Sequence, residues 1–312
     1  MAETDYANAR VAARRARLLG DRGLRELLLR GAAPEGPGSS PAELAREAAR
    51  VLGFLSGAAR RRVAALLRLE DAPTLEALLR GLLLRLPPER ILRGAPPSPG
   101  LGPEALAALA SLPGPERAPE ALATRASPLA GAAAAAVKAS AREPRLLRLG
   151  VALERALVEG ALRELRGRGE DARLAARALA LHVDAVNAAT LLAVEAPARP
   201  DELFVAGGAL DAPAFARLFE QAPASRREAL ARWLGADPAA LAEPARAAEL
   251  LARRRERWLL REARARPFSI APPLAYLAAR AGEARRLRVV RLGQEHGLPG
   301  EALLDLVEGP AR

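Results

Sequence analysis

Shifted against itself by 113 positions, this chain repeats. The segment "DAPTLEALLRGLLLRLPPERILRGA" (71–95) lies on "DAVNAATLLAVEAPARPDELFVAGG" (184–208) without a gap. Asp71 meets Asp184, Ala72 meets Ala185, Leu78 and Leu79 meet Leu191 and Leu192, and Gly94 meets Gly207. After a four-residue deletion, Leu101, Leu106 and Leu109 meet Leu210, Phe215 and Leu218. A shift of 212 brings the first copy onto "EARRLRVVRLGQEHGLPGEAL" (283–303), with Asp71 on Glu283, Gly81 on Gly293 and Leu86-Pro87 on Leu298-Pro299. Single matches mean little in a chain so rich in Ala and Leu. Three copies that keep acid, Gly and Pro positions in register predict three related units, 1–112, 113–221 and 222–312. Their spacing is too wide for a solenoid, whose repeats run to about 20–50 residues.

The units read as all-α. Apolar residues recur at three- and four-residue spacing, as in Leu75, Leu78, Leu79 and Leu82, the stripe of an amphipathic helix. Aromatics make up 3% of the chain, too few for alternating strands. Pro- and Gly-rich breaks fall at 32–41, 94–103, 113–119 and 196–200.

Composition removes several kinds of chemistry. There is no cysteine, hence no disulfide framework and no thiolate ligand or nucleophile. Lys138 is the only lysine and lies in "AAVKAS", so no P-loop is formed. Gly207-Gly208 reads as a turn between helices. The two histidines, His182 and His296, are far apart, which leaves no His pair for zinc. His182 is expected as a partly buried structural histidine and His296 at a helix C-terminus, where a cation suits the dipole. No Gly-x-Ser-x-Gly elbow occurs, and the acids are interleaved with arginine at helical spacing, as on solvated faces. No cofactor, metal or catalytic residue is expected. The opening stretch, with acids before any apolar run, is not expected to act as a signal peptide, and no apolar run reaches membrane-spanning length.

The repeated acids raise the question of what they do. The simplest expectation is helix capping: Asp71 and Asp184 as N-caps, with Asn187 at N3 as in a capping box and Pro73 early in the helix after Asp71. Glu283 is a poor cap and is expected to form a salt bridge. The arginines pose a second question. The net charge is +11. Residues 1–112 hold 17 basic and 12 acidic side chains, 113–220 hold 14 of each, and 221–312 hold 17 and 11, so the positive field belongs to the two ends of the chain. Two stripes carry much of it: Arg10, Arg14 and Arg17, and Arg253, Arg257, Arg261 and Arg264. Both are candidate contacts for an acidic partner.

Four segments resemble a known family. "DYANARVAARRARLL" (5–19) is similar to the opening helix of the C-type subunit of the bacterial and archaeal V/A-type rotary ATPases, equivalent to the d-type subunit of the eukaryotic V-ATPase. "LHVDAVNAATLLAVEA" resembles that family's Asp-x-x-Asn helix pair, "ELFVAGGALDAPAFARLFE" (202–220) its Gly-Gly loop and helix, and "PLAYLAARAGEARRLRVVRLGQEHGLP" (273–299) its C-terminal signature. Thr74 and Ala188 depart from the pattern, where Asn and Leu are usual. The resemblance implies an all-helical funnel of three similar domains with pseudo-threefold symmetry. It further implies a non-catalytic socket on the inner face of the cell membrane, joining the central stalk (D- and F-type subunits) to the membrane rotor ring and coupling ATP turnover to proton or sodium transport.

The competing reading is a basic helical protein that binds nucleic acid through its charge. Against it stand the neutral central third, the scarcity of stacking aromatics and the lack of a recognition motif. On the family reading no nucleic acid is expected as a partner.

Overall fold

The computed structural model describes residues 4–16, 18–29, 41–95, 98–142, 146–194, 198–242 and 244–308. Helices account for nearly all regular structure, and no strand occurs among the described residues. From the N-terminus come α1 (Asp5–Arg15), α2 (Gly20–Leu29), α3 (Pro41–Gly53), α4 (Gly57–Leu69), α5 (Ala72–Leu83), α6 (Pro88–Gly94) and α7 (Pro103–Ala110). Then follow α8 (Ala118–Thr124), α9 (Ala130–Arg142), α10 (Leu146–Glu164), α11 (Glu170–Ala193), α12 (Pro200–Leu203) and α13 (Ala212–Phe219). The chain ends with α14 (Pro223–Leu234), α15 (Pro244–Ala265), α16 (Ala271–Glu295) and α17 (Gly300–Glu308).

The repeat register maps onto these elements. The shift of 113 carries the α4–α5 segment, interrupted only by a turn at Glu70–Asp71, onto α11, and the shift of 212 carries it onto α16. Likewise α6 falls on α12 and α17, and α7 on α13. Two of the repeated glycines now have a cause. A Cβ at Gly81 would lie 2.6 Å from Ile91 Cγ1, and one at Gly293 would run into Leu303 Cδ2. Ile91 and Leu303 are themselves a repeat pair, so each glycine lets the short following helix press on the long one.

Packing is circular. α4 rests on α10 and α11, α11 on α15, α15 on α16, and α16 on α1 and α3, while α2 packs with α17. One apolar core runs from Ala7 through Leu75, Leu153 and Phe215 to Leu277. A smaller one joins Leu24 and Leu28 to Leu287, Val290, Leu303 and Val307. The first and last segments of the chain thus share a core.

Candidate functional site

The repeated carboxylates sit at equivalent places; the two aspartates make equivalent bonds in place of the expected caps, while Glu283 forms the expected salt bridge. Asp71 precedes α5 without capping it. Its φ of −82° and ψ of −17° are already helical, whereas a capping side chain needs a more extended backbone. Its Oδ1 accepts instead from the Ser98 hydroxyl at 2.5 Å and the Gly100 N–H at 2.7 Å. Asp184 lies in the interior of α11, where every neighbouring N–H is already committed to the helix, so it cannot cap. Its Oδ1 accepts from Ala209 at 2.7 Å and Leu210 at 3.1 Å. Gly100 and Ala209 are a repeat pair, so the two bonds are the same bond.

Asn187 is no N3 residue either. It is fully buried and clamps Val205 from both sides: its Nδ2 donates to the Val205 carbonyl at 2.8 Å and its Oδ1 accepts the Val205 N–H at 2.9 Å. Glu283, inside α16, pairs with Arg280 and also accepts the Leu19 N–H at 2.7 Å. The third tie therefore closes on the chain's beginning. Gly207, at φ 114°, supplies the turn that brings the 208–210 loop back to Asp184.

Beside these ties lies an ionic network between helices. Glu70 pairs with Arg255 and lies 3.9 Å from Arg285, which is equally far from Glu249. Burial pushes Glu70 upward, but the positive charges of Arg255 and Arg285, with His182, outweigh it and hold its carboxyl below the usual value. Its neighbour Asp71 behaves oppositely. Burial raises it to about 7, against the opposing hydrogen bonds from Ser98 and Gly100, and the Glu70 charge adds to the rise. Glu76 is raised as well, by burial and by Glu154, against Arg80. His182 Nε2 lies 3.0 Å from Glu154 Oε2, which makes it the partly buried, partnered histidine its sequence context suggests. His296 is the C-cap residue of α16. Among the described residues no group of three or more acids or histidines could hold a metal. The carboxylates named here face arginines, His182 or backbone N–H groups, which makes them ties between helices.

The basic stripes divide. Arg10 is exposed and lies over the rings of Tyr6 and Phe54, at 5.9 and 5.5 Å. Arg14 turns inward to Glu47 at 2.8 Å. Glu47 also accepts the Tyr276 hydroxyl at 2.7 Å. Burial raises Glu47, but Tyr276, Arg14 and Arg50 together leave it below its usual value. Arg17 lies outside the described residues. In the second stripe Arg253 is half-buried and bonds Glu249 at 2.9 Å. Arg257, Arg261 and Arg264 are exposed, with no ion pair among the described residues.

Sequence reasoning passed over Arg226. It is buried, 7% exposed, on α14. Its guanidinium donates to the carbonyls of Leu191 (2.8 Å) and Val194 (3.3 Å) at the end of α11, and of Leu218 (3.2 Å), Phe219 (2.8 Å) and Gln221 (3.0 Å) at the end of α13. One side chain thus satisfies the open carbonyls of two helix C-termini. Nothing in the sequence marks it, because all its acceptors are main chain.

A family model described as the ATP synthase (C/AC39) subunit matches residues 41–306, a span that holds the ties of Asp71, Asp184, Asn187 and Arg226. No curated protein sequence matches the chain.

Proposed function

The chain belongs to the ATP synthase (C/AC39) subunit family, and on that premise we propose that it is a non-catalytic socket in a V/A-type rotary ATPase. It receives the central stalk, of D- and F-type subunits, and rests on the membrane rotor ring at the inner face of the cell membrane. In this position it carries torque between ATP hydrolysis or synthesis and the movement of protons or sodium. No helix among the described residues is long and apolar enough to cross a membrane, which agrees with a peripheral seat.

The observation that carries the proposal is the threefold recurrence of one tie. Asp71 to Gly100, from the turn between α4 and α5, and Asp184 to Ala209 and Glu283 to Leu19, from within long helices, each fasten a helical segment to a loop, and the third fastens it to the other end of the chain. We read the molecule as three units, 1–112, 113–221 and 222–312, set in a pseudo-threefold funnel, with the N-terminal residues completing the third. A ring closed in this way resists shear between its units, as a torque coupler must. The nucleic-acid reading draws no support from the family match. The test is co-elution of the chain with its organism's two-subunit central stalk on size exclusion near physiological salt. A stoichiometric complex supports the socket, and clean separation counts against it.

A further inference from the structure

One end of the molecule carries a pattern the socket role does not use. The connections that precede the three long helices, 54–56, 165–169 and 266–270, gather there. Arg266 bonds Glu170 at 2.6 Å, and the Ile270 N–H donates to Asp171 at 3.0 Å. Gly167 abuts Arg62. The Tyr6 ring meets the Phe54 ring edge-on at 5.9 Å.

On this end stands Phe268, 72% exposed, with Tyr6 at 54%. Phe268 is not a loose side chain. The Thr4 hydroxyl donates to its carbonyl at 2.6 Å, and Asn8 Nδ2 donates to the Pro267 and Ser269 carbonyls at 2.6 and 3.2 Å. Its backbone is pinned on three sides while its ring faces water, an apolar exposure that internal packing does not explain. Next to it runs a groove between α1 and the α15–α16 connection, lined by Ala9, Ala12, Ala263 and Phe268, with Arg15 and Asp5. Around the aromatic residues stand exposed arginines with no ion pair among the described residues: Arg60 and Arg61 opening α4, Arg166 and Arg168 before α11, and Arg261 and Arg264 closing α15.

We infer that this end rests on an anionic phospholipid surface. Phe268 and Tyr6 enter at headgroup depth, an acyl segment lies in the alanine-floored groove, and the arginines pair with lipid phosphates. Aromatic side chains seek the membrane interface and basic ones its negative headgroups. The arginines come from three separate places, the start of α4, the connection before α11 and the end of α15, which suits a laterally averaged negative surface. An acidic peptide would ask for cations lining one groove. The inference rests on the socket reading only in placing the chain at a membrane.

The test is co-flotation of the full chain with vesicles, without the rest of the complex. Wild type is expected to float with phosphatidylglycerol–phosphatidylcholine vesicles, less so as salt rises, and to ignore pure phosphatidylcholine. F268A and R261A/R264A, checked for unchanged melting, are each expected to weaken flotation about tenfold, the first through loss of an interfacial aromatic and the second through loss of interfacial cations. The charge-matched R90A/R93A on α6 should float like wild type. Indifference of wild type to anionic vesicles, equal loss in the α6 variant, or full flotation of the first two variants would each overturn the inference. A chain that joins the stalk yet ignores vesicles refutes this inference alone.

Discussion

The backbone N–H of Leu19 donates to the Glu283 carboxylate at 2.7 Å, a bond between residues 264 apart in sequence. It stands where Gly100 meets Asp71 and Ala209 meets Asp184, but here the loop comes from the chain's other end. Glu283→Ala removes it together with the Arg280 pair. We expect a loss of about 2 kcal/mol, because a backbone donor is stranded and half-buried Glu43, 3.9 Å away, is the carboxylate left to Arg280 among the described residues. The loss should register beyond α16. Amide hydrogen exchange in α2, which shares the small core with α16 and α17, should quicken. Unchanged protection in α2 would mean the bond does not fasten the first segment to the last.

Three polar residues between positions 184 and 211 should rank by what they leave behind. Asp211 is a true N-cap whose side chain accepts the Ala214 N–H at 2.8 Å at an exposed site. Asp211→Ala is expected to cost about 1 kcal/mol. Asp184→Ala strands the Ala209 and Leu210 donors and should cost about 2 kcal/mol. Asn187→Ala strands both main-chain groups of buried Val205 and should cost about 3 kcal/mol. Urea unfolding of the three variants checks the order. A cost for Asp184→Ala no greater than for Asp211→Ala would mean that the Ala209 and Leu210 donors find other partners once the carboxylate is gone.

Asp71 should give the stability a pH dependence of unusual sign. Its carboxyl is raised to about 7 in the native state, against about 3.9 in an unfolded chain. The native state therefore holds the proton more tightly. This contribution is complete below pH about 4 and is lost as pH climbs through about 7, up to roughly 4 kcal/mol for a shift of that size. Glu70 is held low, so its contribution is present above its unfolded value and is lost on acidification. Denaturant titrations at a series of pH values should show Asp71→Asn flattening the decline between pH 4 and 7. Parallel curves for wild type and variant would place the titration elsewhere.

The register of Asp71, Asp184 and Glu283 was legible in the sequence, because a repeat preserves position whatever the residue does. Their role was not. Capping and loop-tying use the same short carboxylates, and what separates them is whether a helix begins there. α11 runs through "LHVDAVNAATLL" unbroken because nothing in that stretch stops it. The loop donors for Asp184 lie 25 and 26 residues away, beyond any local pattern. The basic stripe on α15 was half legible. Helical spacing places Arg253, Arg257, Arg261 and Arg264 together, but Glu249, one turn earlier, claims the first. The exposure of Phe268 depends on Thr4 and Asn8, at the opposite end of the chain.

Arg226 holds two helix ends together through a single side chain. Burial lowers its pKa, and no carboxylate among the described residues pairs with it; carbonyl oxygens at the ends of α11 and α13 do that work. Arg226→Lys keeps the charge but loses the planar fork that reaches two helix ends at once. Arg226→Met keeps much of the stem and loses every donor, leaving buried carbonyls open. We expect Arg226→Lys to cost about 2 kcal/mol and Arg226→Met about 3 kcal/mol, measured by urea unfolding. Exchange should rise at the last turns of both α11 and α13, because a single guanidinium holds them together. A rise at only one of the two would show that the other terminus is held by packing alone, and that Arg226 caps a helix without joining a pair.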